Sequence, residues 1–289
     1  MQRAESIREE VISANVEFYR EIAGKYDEYE SCASEEFHQR MLESDLNKMQ
    51  SLLAGKDVRC LDCGGGSGNL TLKMLERGWK VTVVDVSPDM LELSKAKVHA
   101  RGFTAEFVND SVENFLAASR QTFSVISFSS VLHHLYAPAD VVREMAGHVE
   151  PGGFFYSNFD PVLPSSRQLT AFFYNLDTIL AKVLRDRRDL LPGIVRRLKK
   201  LKGTPSGEHD RVVVSHGDLA EYHARTGLDD GVIAKTLKEQ GFATTVERYA
   251  VGRTKTMLRV NRAFGTMLNF RIMARREESN NATNEHCTF

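Results

Sequence analysis

The chain of 289 residues is poor in cysteine, nearly free of net charge, and without any long apolar run. Its four cysteines, Cys32, Cys60, Cys63 and Cys287, follow no disulfide framework, and a chain of this length can fold without staples. A reducing compartment, the cytoplasm, is the expectation. No stretch reaches the length of a membrane span, and the opening MQRAESIREEVIS mixes charges of both signs without the apolar centre of a signal peptide, so a soluble protein is expected. With 38 Lys and Arg against 39 Asp and Glu, the formal net charge of -1 sets up no global field toward nucleic acid, and none is expected as a partner. Cys60-x-x-Cys63 has half of a zinc or redox spacing, but no second pair follows; packed thiols account for it and no metal site is expected.

What the chain does have is 42% hydrophobic and 27% charged residues, enough for one large core with an insertion. Residues 5 to 54 read as helical, broken at KYDEYESCAS and capped at Ser34 ahead of Glu35 and Glu36. From Val58 short apolar runs alternate with amphipathic ones: VRCLDC, LTLKMLERG, KVTVVDV, DMLELSKAKVHARG, AEFVND, FSVISFSSV, ADVVREMAGHV and FFYSNF. That alternation predicts βαβ units, an α/β fold whose mostly parallel sheet is covered by helices on both faces. The pattern lapses over 160 to 225 and resumes with DDGVIAKTLKEQG, TTVERYAV and LNFRIMARR, for seven strands in all. The expected organisation is a helical leader (1–54), an α/β core (55–160), a helical lid inserted over the sheet (161–225), the end of the core (226–276) and a flexible tail (277–289).

The stretch CLDCGGGSGN, residues 60–69, falls at the first strand-to-helix turn, the ligand-binding edge of an open parallel sheet. Glycines there let backbone approach a ligand closely. A dinucleotide fingerprint wants a glycine where Asn69 stands, and a P-loop wants a lysine that the loop lacks. Asp85 ends the next strand, in VTVVDVSPDML, where an acidic side chain can accept hydrogen bonds from both hydroxyls of a ribose.

Together these residues resemble the class I S-adenosylmethionine-dependent methyltransferases, nearest the small-molecule group that includes quinone and natural-product enzymes. The resemblance covers residues 15 to 160. It implies a Rossmann-like sheet, S-adenosyl-L-methionine as cofactor and S-adenosyl-L-homocysteine as product. By the same resemblance Asp62 and the backbone of Gly64 and Gly66 surround the methionine moiety, Asp85 holds the ribose, and Val86 and Met90 pack on the adenine. Asp110 accepts from the adenine amino group, with the backbone beside Ser111 at the ring edge. Tyr26 closes over the cofactor and Arg40 pairs with its carboxylate. Capping by Asp62 and Asp85, and a plain core role for Met90 beside Leu91 and Leu93, are the competing structural readings.

Methyl transfer needs the acceptor held in line, with a base only where the acceptor must lose a proton. SFSSVLHHLYAP ends the fourth strand at the same edge, and the resemblance makes His133, the first of the histidine pair, the base or orienter. Residues 182–202, KVLRDRRDLLPGIVRRLKKLK, carry nine basic side chains beside an apolar stripe and could meet an anionic membrane, an acidic substrate or only solvent. His209, His216, Tyr222 and His223 follow as candidate pocket residues. The expected function is methylation of a small organic acceptor at O, N or C. The alternatives are a membrane-presented lipid or quinone, and a non-catalytic cofactor-binding sensor or partner subunit. The sequence specifies no oligomeric state.

Overall fold

The computed structural model describes residues 2–26, 36–163, 219–220, 222–223, 226–252 and 255–278. Residues 182–202, His209, His216, Cys32, Cys287 and Ser34 lie outside the described residues. Helix α1 (Gln2–Ile22) runs into a short 3-10 turn (Ala23–Lys25), and α2 (Glu36–Leu52) precedes the sheet. The alternating part then runs β1 (Arg59–Cys63), α3 (Asn69–Leu75), β2 (Lys80–Asp85), α4 (Pro88–Ala100), β3 (Glu106–Asn109), α5 (Val112–Ala118) and β4 (Phe123–Ser129). It continues with a 3-10 turn (Leu132–His134), α6 (Pro138–Met145), β5 (Val149–Pro161), α7 (Asp230–Glu239), β6 (Phe242–Tyr249), α8 (Lys255–Ala263) and β7 (Asn269–Arg276). The sequence pattern assigns no element where α8 forms.

The seven strands lie in the order β3-β2-β1-β4-β5-β7-β6. The first five are parallel, and β7 enters between β5 and β6 antiparallel to both. Period-two alternation divides the core: Cys60 of β1 belongs to the cluster of Leu42, Leu46, Met49, Met74 and Leu91 under α2, α3 and α4, whereas Leu61 and Cys63 belong to that of Leu116, Val142, Met145 and Leu237 under α5, α6 and α7. Order 3-2-1-4 reverses between β1 and β4, which opens a crevice at their carboxyl ends.

Local signals set the helix starts around that crevice. Ser87 caps α4 by accepting the Met90 N–H at 3.3 Å, with Pro88 as the first helical residue. Ser111 caps α5 through the Asn114 N–H at 3.1 Å. A polar tie joins the leader to the far side of the sheet: buried Asp45 of α2 accepts from Tyr156 Oη (2.9 Å) on β5 and from Arg271 (2.6 Å) on β7.

Candidate functional site

The crevice is floored by the glycine loop. Gly64 N–H donates to Val84 O at 2.7 Å, which pins the loop to the end of β2. Gly64 and Gly66 have φ of 63° and 51°, the left-handed region that side chains resist. A Cβ on Gly64 would meet Val131 at 2.6 Å, whereas one on Gly66 would have nothing nearer than Met90 Cε at 3.6 Å and would project into the cleft. Gly66 N–H donates to Asp85 Oδ2 and Ser87 N–H to Asp85 Oδ1, both at 2.8 Å, so the carboxylate that ends β2 also orders the loop after β1. Burial raises the Asp85 pKa, against the lowering effect of those two N–H donors. Asn109 Nδ2 bonds to Asp85 O (2.9 Å) and Val86 O (3.0 Å), which holds the ends of β2 and β3 together.

Around this floor lies a cleft lined by both polar and apolar side chains. Among the expected residues Tyr26, Gly64, Gly66, Asp85, Val86 and Met90 line it. Asp110 and Ser111 do not line it, although the next two residues, Val112 and Glu113, do. Asp110 Oδ1 accepts from the Ser111 N–H (2.8 Å) and from Asn114 Nδ2 (3.0 Å), so its carboxylate is engaged in starting α5.

Three placements differ from expectation. Arg40 is exposed, pairs with Glu36 at 3.0 Å one helical turn away, and does not line the cleft; the phase of α2 turns it to solvent. Asp62 points away from the cleft into the layer under α3, where it accepts from Thr71 Oγ1 (2.6 Å) and Ser127 Oγ (3.0 Å). Burial lifts its pKa to about 6 despite those donors. The histidine pair is reversed. His133, 6% exposed, turns into the core with Nδ1 2.8 Å from Asp160 Oδ1, while His134 lines the cleft. The 3-10 turn that holds both sets this phase, which a sequence alone does not reveal.

The sequence reading missed the cleft's roof. Arg8, Val11, Ile12, Asn15 and Tyr19 of α1 all line it, spaced as one helical face. The same face is visible in the sequence as residues 8, 11, 12, 15 and 19, three of them (Val11, Ile12 and Tyr19) apolar or aromatic. Arg20 anchors the end of α1 at 4.0 Å from Asp89, and Tyr19 Oη lies 3.0 Å from His134 Nε2. Arg8 Nε is buried with no hydrogen-bond partner among the described residues, an orphaned donor on a ligand cleft. Ser130, with φ of 61°, also faces the cleft, strained backbone of the kind that collects at functional sites. Among the described residues no group of three or more His, Cys, Asp or Glu side chains could hold a metal ion, and no helix is long and apolar enough to cross a membrane.

The sheet order, the glycine loop and the acidic end of β2 define a Rossmann-like fold of the class I methyltransferase type. Residues 60–153 match the family model of the methyltransferase domain. Over 203 residues the chain is 29% identical to the ubiquinone biosynthesis O-methyltransferase of Vibrio vulnificus (strain YJ016), covering 67% of this chain and 75% of that one. Over 120 residues it is 28% identical to the tRNA 5-carboxymethoxyuridine methyltransferase of Escherichia coli (strain K12), covering 41% of this chain and 46% of that one. The match thus spans less than half of the tRNA enzyme's length. Among solved structures, the plantazolicin methyltransferase BamL in complex with a triazolic desmethylPZN analog and SAH shares the fold at a TM-score of 0.58, 14% identity, 96% coverage of this chain and 99% of that one. Magnesium protoporphyrin IX methyltransferase from Synechocystis PCC 6803 with bound SAH gives a TM-score of 0.50 at 15% identity and 83% coverage of each. The chain carries a class I S-adenosylmethionine-dependent methyltransferase domain.

Proposed function

We propose that the protein is an S-adenosyl-L-methionine-dependent methyltransferase acting on a small organic acceptor. The observation that carries this reading is the floor of the cleft, where Asp85 holds the amide of Gly66 at 2.8 Å and both residues face a cavity roofed by α1. The site's chemistry fits the cofactor. Asp85 keeps acceptor capacity for ribose hydroxyls beyond the two amides, Gly66 leaves room where a side chain would intrude, and Val86, Met90 and Val112 offer apolar walls for adenine. Arg8, whose Nε has no hydrogen-bond partner among the described residues and whose Nη2 lies 3.9 Å from Glu5, replaces Arg40 as the candidate for an anionic group.

When bound, the cofactor supplies an electrophilic methyl group. The chain's own part is to orient the acceptor and to exclude water, with Tyr19, Tyr26, Leu135 and Tyr136 providing aromatic and apolar surface for both. Asp62 is read as a support beneath the loop, and Asp110 and Ser111 as supports of the adenine wall. We place the protein in the cytoplasm and keep the division into leader, core, lid, core end and tail given above.

Calorimetric titration with S-adenosyl-L-methionine and S-adenosyl-L-homocysteine tests the reading, followed by homocysteine-product release with candidate acceptors. Absence of binding by the intact protein overturns it. Binding without release on any acceptor favours a sensor or partner subunit. Release only with anionic vesicles, weakening with salt, assigns a membrane-presented acceptor, and release with tRNA a nucleic-acid one.

A further inference from the structure

We infer that Asn158 and Tyr249 are positioning residues, which hold the end of β4 against the glycine loop through a bulge in β5; the inference rests on the methyltransferase reading above. Among the described residues, Ser130 and Phe159 alone have positive φ outside glycine, at 61° and 67°. Such backbone resists a side chain, and a phenylalanine there needs surroundings that enforce it. Both residues meet at Asn158. Its carbonyl oxygen accepts the Ser130 N–H at 2.7 Å, and its side-chain Oδ1 accepts the Phe159 N–H at 2.9 Å. Opposite β7, Ser157 pairs with Ile272 and Asp160 with Phe270, so Asn158 and Phe159 share the single residue Arg271 and form the bulge.

Tyr249, on β6, closes the bulge from two strands away. Its Oη donates to Asn158 Oδ1 at 2.8 Å and accepts the Phe159 N–H at 3.1 Å, while Asn158 Nδ2 donates to Tyr156 Oη at 2.9 Å. Asn158 is fully buried, and because the Phe159 N–H can only donate, its amide has one orientation. The bulge bears on the cleft through Ser130. Ser129, Ser130 and Val131 line the cleft, and Val131 packs so closely on the loop that a Cβ added to Gly64 would lie 2.6 Å from Val131 Cγ2. Any turn of the Asn158 carbonyl therefore moves Ser130, and with it the valine that bears on Gly64. Neither Asn158 nor Tyr249 lines the cleft, so both act through Ser130.

Tyr249→Phe in the full chain tests this, because it removes a single hydroxyl outside the cleft and leaves the ring in place. Calorimetry with S-adenosyl-L-homocysteine should show an affinity about three- to tenfold below wild type. Hydrogen exchange gives a second readout that needs no ligand: the Ser130 amide should quicken by about tenfold relative to the Val125 and Ile126 amides of the same strand, the mark of a local opening. Ile233→Val, a core change in α7, is the control for lost stability alone. It should lower the melting temperature while affinity and the Ser130 exchange ratio stay at wild type. Affinity within about twofold of wild type in Tyr249→Phe, Ser130 exchange in step with the rest of β4, or an equal affinity loss in Ile233→Val overturns the inference. Failure of wild-type protein to bind S-adenosyl-L-methionine or S-adenosyl-L-homocysteine at all instead overturns the methyltransferase reading, and the exchange ratio then still decides whether the bulge holds Ser130.

Discussion

Asp85 Oδ2 accepts the Gly66 amide proton across 2.8 Å, so one carboxylate couples the end of β2 to the loop launched by β1. Its other oxygen accepts from Ser87, at the start of α4. Three segments that meet at the cleft are therefore registered by a single side chain, and the predictions begin there.

Asp85→Ala should weaken S-adenosyl-L-methionine binding by about tenfold to a hundredfold, the loss of a charge-assisted acceptor of about 1.5–3 kcal/mol. Asp85→Asn, which retains one carbonyl oxygen for an amide, should fall between. Calorimetry on folded protein checks both, and unchanged affinity in the alanine variant would remove Asp85 from the site.

Gly66→Val and Gly68→Ala should separate binding from stability. The valine enters the cleft at φ 51° and should abolish donor binding with a smaller effect on folding. The alanine at Gly68 meets Ser94 Oγ at 2.5 Å behind the loop and should cost stability first. Melting temperature and affinity measured on the same samples decide; valine at 66 that binds normally is the contrary result.

Asp62→Asn should change how stability depends on pH. The wild-type carboxyl titrates near 6 in the folded protein, raised from 3.8 chiefly by burial. Below 3.8 it is protonated in both states; as pH rises through about 6 the folded state must take on a buried charge. Relative to the asparagine variant, wild type should therefore lose stability between about pH 4 and 6, on the order of 2–3 kcal/mol in all. Urea unfolding of both proteins across that range measures the difference, and a constant difference would contradict the buried charge.

His133→Ala should act on folding. Asp160 is fully buried, and after the change it keeps the residue-133 amide and Ser157 Oγ but loses the imidazole donor, a cost of about 2 kcal/mol. Thermal unfolding should register that loss while turnover per folded molecule stays near wild type. A stable variant with abolished turnover would return His133 to the acceptor.

The strands were legible because β1, β2 and β4 are apolar runs bounded by turn residues, and buried parallel strands have no other way to read. That Gly64, Gly66, Asp85, Val86 and Met90 share one cleft was legible because they lie within one βαβ unit, where chain spacing and spatial spacing agree. Arg40, His133 and Asp62 were misplaced for one reason. Which way a side chain turns depends on the phase of a helix, a 3-10 turn or a strand against its neighbours, and that phase is fixed by packing. Tyr19 and His134 are 115 residues apart and Asp45 and Arg271 226 apart, so no local pattern could pair them.

The position of β7 bears on how the molecule is made. Synthesis delivers β1 to β5 and then β6 well before residues 269–276, yet β6 reaches the rest of the sheet only through β7. A nascent chain lacking those last residues exposes the open edge of β5, leaves Asp45 without its guanidinium, and has no seat for β6. The enzyme-like cleft at β1, β2 and β4 is built from chain that emerges early, but its sheet is sealed by the strand that emerges last. Ribosome-bound intermediates therefore carry a long unpaired strand edge, the feature on which chaperones act and from which aggregation starts.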